Sequence, residues 1–224
     1  MKKTLFVFDI DDTLTQSAAI HIECFIQSLN ELGVEKMDTN FGDYLHHTDS
    51  YIAKTIYEKE LWQTFTEELK AQFEKLLSNK MEEKTIEEVP GAAAFIKKLQ
   101  KNKSVAICFA TGSLRRPAVQ KLKAIGVDFN NQLLVASDRL EKRESIVKGA
   151  IAAAKKFYNV DSFDRIISVG DGLWDLEAAE NLGLEFIGIG EKNKETLIEN
   201  GCENHFEDFT ALPKDLPVGN DYKG

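Results

Sequence analysis

A chain of 224 residues is long enough for one sizeable core, or for a core with a smaller partner unit. Its 43% hydrophobic and 29% charged residues are those of an ordinary soluble globular protein, and a formal charge of -9 argues against nucleic acid or an anionic membrane as partner. Cys24, Cys108 and Cys202 are odd in number, widely spaced and without a CxxC pair, so they read as buried thiols in a reducing, cytoplasmic setting.

Leu5-Phe6-Val7-Phe8 reads as a buried strand. It follows Met1-Lys2-Lys3 but is too short for a signal peptide or a membrane span, and it runs into Asp9, Asp11 and Asp12. A strand that stops in acids points to the C-terminal edge of a sheet, where open α/β sheets place their ligands. Asp9 and Asp11 leave an extended chain on the same face. Carboxylates that close need a proton or a cation between them, and oxygen donors suit Mg²⁺. The plainer alternative is a solvated acidic turn.

Ala18, Ala19, Ile22, Phe25, Ile26, Leu29 and Leu32 then recur at helical spacing, and Gly33 stands where a helix should end. A second helix is expected from Thr48-Asp49-Ser50 through Ile56. A third is expected from about Trp62 to Leu77, with Phe65, Leu69, Phe73 and Leu76 on one stripe. No strand-like alternation follows until Val105, and so long a helical run exceeds the needs of a βα crossover. Residues 16–88 are therefore expected to form an inserted, all-helical cap, with Glu87-Glu88-Val89-Pro90-Gly91 as the return hinge.

From Pro90 the rhythm is helix Ala92–Lys101, strand Val105–Ala110, helix Pro117–Ile125 and strand Gln132–Ala136. Helix Ser145–Phe157, strand Arg165–Val169, helix Asp175–Asn181, strand Glu185–Ile189 and a short strand at Asn204–Phe206 follow. Such alternation predicts an α/β fold, a Rossmann-like doubly wound parallel sheet formed by residues 1–15 and 89–212. The polar tail 213–224 is expected to add little to the core.

Three strand ends are chemically distinctive. The first offers Asp9 and Asp11. The second offers Thr111, Gly112 and Ser113, a hydroxyl and backbone amides beside a helix start, where anions bind. The third offers Asp171, with Asp175 one turn further on. Lys142 and Arg143 precede another helix. Brought into one crevice, these groups suit phosphoryl transfer: one carboxylate attacks phosphorus, a second acid handles protons, and cations hold the remaining oxygens.

Asp9-Ile10-Asp11-Asp12-Thr13, Ala110-Thr111-Gly112-Ser113, Lys142 and Gly170-Asp171-Gly172-Leu173-Trp174-Asp175 resemble, in order and spacing, the four motifs of the haloacid dehalogenase-like hydrolase superfamily. The resemblance covers nearly the whole chain, including the insertion point of the cap. It implies a Mg²⁺-dependent phosphatase for a small phosphorylated metabolite, working through an aspartyl-phosphate. Asp9 is then nucleophile and Mg²⁺ ligand, and Asp11 general acid/base and ligand through its carbonyl. Thr111 with the Gly112 and Ser113 amides binds the phosphoryl group, Lys142 neutralises it, Asp171 ligates Mg²⁺ and Asp175 is a supporting acid. True dehalogenases of the superfamily lack the second acid of the first motif, so Asp11 favours phosphate chemistry.

Two positions depart from the family pattern. Asp12 stands where Gly is common. The third motif, often Lys-Pro, is Glu141-Lys142-Arg143-Glu144. Lys142 is preferred there because it sets Val147, Ala150 and Ile151 in apolar register, with Arg143 as the alternative phosphate-binding cation. Arg115 and Arg116 at a helix start are open to two readings, an anion nearby or plain solvent exposure. His46 and His47 could reach substrate or lie on the surface, and Trp174 could pack under the cap or fill a helix start. Gly188-Ile189-Gly190 reads as a turn with no helix entry after it. A phosphomutase with the same nucleophile is the nearest alternative function, and a phospho-accepting signalling module a more distant one. Oligomeric state is not legible.

Overall fold

The computed structural model describes residues 2–213. The expected tail, 213–224, therefore lies outside the described residues except for Pro213.

Strand β1 (Thr4–Phe8) is central in a six-stranded sheet, flanked by β4 (Val105–Ala110) and β6 (Arg165–Gly170). The remaining strands are β5 (Leu134–Val135) beyond β4, and β7 (Glu185–Ile189) and β8 (His205–Phe206) beyond β6; every pair is parallel. The strand order reverses beside β1, which places a crevice at its C-terminal end. The register brings Phe8 level with Phe109 and with Val169. Asp9, Thr111 and Asp171 consequently follow at nearly the same height.

Pleating sends alternate residues of β1 to opposite faces. Phe6 and Phe8 join Phe95, Ile96 and Leu99 of α4 (Ala92–Lys101), while Leu5 and Val7 join Ile146, Val147, Ala150 and Ala154 of α6 (Arg143–Tyr158). Both faces are covered, which is why β1, β4 and the end of β6 are continuous apolar runs rather than alternating ones. Helix α5 (Arg115–Ala124) begins two residues earlier than its Pro suggests, because Pro at the third helical position needs no intrahelical donor.

Between β2 (Thr15–Gln16) and β3 (Glu87–Glu88), a two-residue antiparallel pair, lie three helices: α1 (Ala18–Glu31), α2 (Asp49–Leu61) and α3 (Glu67–Glu82). They have an apolar cluster of their own, in which Phe25 meets Phe73 edge-on at 5.0 Å and Tyr57 meets Phe65 at 5.2 Å. The third helix starts later than its apolar stripe suggests. Trp62 takes a left-handed φ of 56° and ends α2, and Thr66 restarts the chain by accepting a hydrogen bond from the Leu69 amide. The strands β2 and β3 are too short to carry an alternation. One more helix, α7 (Leu173–Asn181), follows β6, and α8 (Lys194–Glu199) follows the Gly188-Ile189-Gly190 turn, where no helix was expected. No helix among the described residues is long and apolar enough to cross a membrane.

Candidate active site

Asp9 is the residue after β1, and 6% of its surface is exposed. One of its oxygens accepts from Arg143 Nη2 at 2.6 Å, the other from the Thr13 hydroxyl at 3.3 Å. The same hydroxyl lies 3.4 Å from Asp171 Oδ1 at the end of β6. Asp175, one turn into α7, accepts from Arg143 Nε at 2.7 Å. Carboxylate oxygens of Asp9, Asp171 and Asp175 all lie within 4.8 Å of one another. Gly170 makes this convergence possible: a Cβ there would stand 2.5 Å from the Asp175 carboxylate.

Crowded acids resist ionisation. Burial, reinforced by Asp175 and Asp11 and opposed by Arg143, pushes Asp9 up to about 7. Burial and then the charges of Asp9, Asp175 and Asp12 hold Asp171 well above the ordinary carboxylate range. Apart from Thr13, Asp171 is bonded by the Asn193 side-chain amide at 3.3 Å, so both of its hydrogen-bond partners are neutral. An all-oxygen donor set with excess negative charge fits a hard divalent cation.

Asp11 behaves oppositely. Burial works to raise it, but Lys121, His21 and the hydrogen bonds from Lys121 and Ser17 outweigh that and bring it down to about 2. The Lys121 ammonium lies fully buried and spends its three donors on Asp11, on Ser113 Oγ at 2.8 Å and on His21 Nδ1 at 3.0 Å. With Nδ1 accepting, the His21 ring N–H is left at Nε2, facing Asp49 at 2.8 Å. Asp49 in turn accepts from the Leu114 amide at 2.8 Å. A polar chain thus runs from Asp11 through Lys121 and His21 to α2 and back to the loop after β4.

Lys121 was not among the expected site residues. It sits among polar neighbours, Gln120 and Lys123, which suggests a solvated helix. Its position three residues after Ala118 and one before Leu122, both buried, was the available signal.

The expectation that Lys142 is the crevice cation is corrected by the structure. The buried face of α6 is Arg143, Ile146, Val147, Ala150 and Ala154, so Arg143 lies one turn before Val147 and points inward. Lys142 is the extended residue ahead of the helix and lines a separate cavity with Lys54, Lys70 and Arg139. Arg143 is held between Asp9 and Asp175, which raise it above its ordinary value despite burial, and its Nη1 is buried without a protein hydrogen-bond partner. That nitrogen lies 3.1 Å from where a Gly112 Cβ would be.

Thr111, Gly112 and Ser113 line the same crevice of about 400 Å³, together with Asp9, Asp11, Asp171 and Arg143. The Ser113 amide, expected to face a ligand, donates instead to Thr111 Oγ1 at 3.1 Å. The Thr111 hydroxyl keeps its own proton to give. Asp12 has a φ of 52°, the left-handed conformation for which Gly is common and Asp is tolerated. Its carboxylate binds the Ala18 amide at 3.0 Å and Lys192 at 3.3 Å.

The loop ahead of α2 lies on the loop after β4. Asp49 N donates to Gly112 O at 2.8 Å, and a Cβ on Gly112 would come within 2.5 Å of His47 O. His47 stacks on Trp174 at 4.7 Å and both line the crevice, whereas His46 packs on Tyr51 away from it. Arg115 and Arg116 stay outside: their amides are capped by Asp138 and Glu74, and the Arg115 side chain binds Leu134 O.

The profile of the haloacid dehalogenase-like hydrolases matches residues 6–189. The chain belongs to that family. Solved structures resemble it over nearly the full length. A hydrolase from Pseudomonas syringae is 22% identical with a TM-score of 0.64, covering 94% of this chain and 96% of that one. CbbY from Rhodobacter sphaeroides, in complex with xylulose-1,5-bisphosphate, is 17% identical with a TM-score of 0.72 over 95% and 96%. A putative beta-phosphoglucomutase from Bacteroides vulgatus is 16% identical with a TM-score of 0.68 over 94% and 86%. At these identities the likeness speaks for the fold. No curated protein matches the chain.

Proposed function

We propose that this haloacid dehalogenase-like hydrolase is a Mg²⁺-dependent phosphomonoesterase that acts on a small phosphorylated metabolite through an aspartyl-phosphate on Asp9. The observation that carries the reading is Arg143. Two carboxylates fix its guanidinium, and its unpartnered Nη1 is left in the crevice beside Thr111 and Gly112. A buried donor of that kind calls for an acceptor oxygen, and a phosphoryl group supplies several.

In this reading Asp9 attacks phosphorus while Arg143 and the Thr111 hydroxyl bind the non-reacting oxygens. Asp11 is the general acid/base. Its tie to Lys121 keeps it anionic, the form that activates water to cleave the acyl-phosphate, and the earlier protonation of the leaving oxygen requires Lys121 to release it. Mg²⁺ bound by the Asp9 and Asp171 carboxylates and the Asp11 carbonyl would offset repulsion between nucleophile and phosphate. Asp175 holds Arg143. Residues 16–88 act as a cap that excludes water and selects the leaving group. The three buried free thiols agree with a cytoplasmic setting.

Phosphate release from phenyl phosphate with and without Mg²⁺, run beside Asp9→Asn, tests the reading. Metal-dependent release by the wild type alone supports it, as does acid-stable label on the wild type from a labelled ester. Equal, slow release by both proteins overturns it. A hexose 1-phosphate separates hydrolysis from return of the phosphoryl group to a sugar.

A further inference from the structure

Beyond the acids at the strand ends, the crevice changes character. The helical unit lines it with Ile22, Phe41 and Ile52 beside Thr39 and Thr48, and the stacked rings of His47 and Trp174 line it too. Ile22 remains 38% exposed there, although Cys24, Phe25 and Leu29 of the same helix are buried. Among the described residues that line the crevice, the helical unit contributes no lysine or arginine. The two cations that line it come from the other unit and are engaged, Arg143 by Asp9 and Asp175, and Lys192 by Asp12. His21 has both ring nitrogens occupied, by Asp49 and Lys121. Burial and the neighbouring Arg143 lower the affinity of His47 for a proton. Asp11 and Asp49 also line the crevice and already hold the nearby donors, Asp11 the Lys121 ammonium and Asp49 the His21 ring.

We propose that the crevice selects the phosphate monoester of a neutral, flat, largely apolar alcohol, and rejects esters that carry a second phosphate or a carboxylate. The proposal rests on the phosphomonoesterase reading and names its substrate class. A second anion on the leaving group would be taken from water to face aliphatic side chains, with Arg143, Lys192 and Lys121 already paired to carboxylates, which is costly. An aromatic or branched alcohol meets rings and methyl groups of matching character. Lys192 does not alter the balance: it stands on the rim, 70% exposed, and an ion pair of that kind contributes little.

The test compares 2-phenylethyl phosphate with the phosphate ester of phenyllactate, two esters that differ by one carboxylate. The full chain is used with Mg²⁺, and phenyl phosphate serves as the reference. The neutral ester should have the larger kcat/KM by on the order of 10²-fold. Ile22→Arg, a change at a half-exposed position, should improve the carboxylated ester and shrink the ratio at least about tenfold. If phenyl phosphate is hydrolysed but the carboxylated ester is used as well as the neutral one, the substrate class is wrong and the phosphomonoesterase stands. If no ester releases phosphate, both fall.

Discussion

The ammonium of Lys121 lies 2.6 Å from one carboxylate oxygen of Asp11 and 2.8 Å from the other. It is the partner that brings Asp11 down to about 2 against burial. Lys121→Met should raise the Asp11 pKa and move the acid limb of the pH–rate profile upward. It should also cost about 10²-fold or more in kcat, the usual contribution of a placed acid/base. The KM for a phenyl ester should change far less, since Lys121 does not line the crevice. A uniform loss at every pH, tracking a fall in melting temperature, would mean a purely structural lysine.

Arg143 and Lys142 are neighbours in sequence with opposite expected behaviour. Arg143→Met strands Asp9 and Asp175 as buried, unpaired charges, which should destabilise by about 3–5 kcal/mol and abolish turnover. Arg143→Lys should rescue the fold better than the activity, because a point-like ammonium lacks the planar fork with which Nε and Nη2 hold two carboxylates while Nη1 stays free. Lys142→Ala should stay within about 0.5 kcal/mol of wild type and keep its activity. Denaturant melts and steady-state rates on the three variants decide the matter.

Stability of the metal-free protein should fall as pH rises. Asp9 and Asp171 have folded-state pKa values above their unfolded ones, so their contribution is whole below about 3.8, the unfolded value, and for Asp9 is lost as pH climbs through about 7. Asp11 acts in the other direction, but only below pH about 3.8, as its carboxylate protonates on the way down to about 2. Melting temperature without metal should therefore drop between about pH 4 and pH 7, and Mg²⁺ should restore most at the upper end. Asp9→Asn should flatten the slope. A slope unchanged by that substitution would leave Asp9 without the raised pKa.

Gly170→Ala places a methyl group 2.5 Å from Asp175. The cost expected is about 1–3 kcal/mol from overpacking. Because Asp175 positions Arg143, activity should fall with it, and phosphate should bind more weakly by calorimetry. Retained phosphate affinity in the variant would show that Arg143 does not depend on Asp175.

What could be read beforehand was whatever the local chain determines. The run Leu5–Phe8 ending at Asp9, and Arg165–Gly170 ending at Asp171, announce buried strands that stop in acids, and parallel pairing does the rest. Arg143 could be separated from Lys142 only by knowing which face of α6 is buried, and an apolar stripe built on Ile151, half-buried here, points one residue off. Lys121 depends on contacts across a hundred positions, to His21 and Asp11, that no local pattern encodes. Helix α8 and the β2–β3 pair are too short for periodicity to register.

That small antiparallel pair has a last implication. Thr15 sits opposite Glu88, so the chain leaves the sheet layer and re-enters it about 5 Å apart, one strand spacing. A gap so narrow could be closed by a tight turn or by an excursion of quite different size, without disturbing the line from Asp9 to Asp171. On the proposed function, selectivity and reactivity reside on separately exchangeable pieces of polypeptide, and a graft at this seam would give the same reactive end a new clientele.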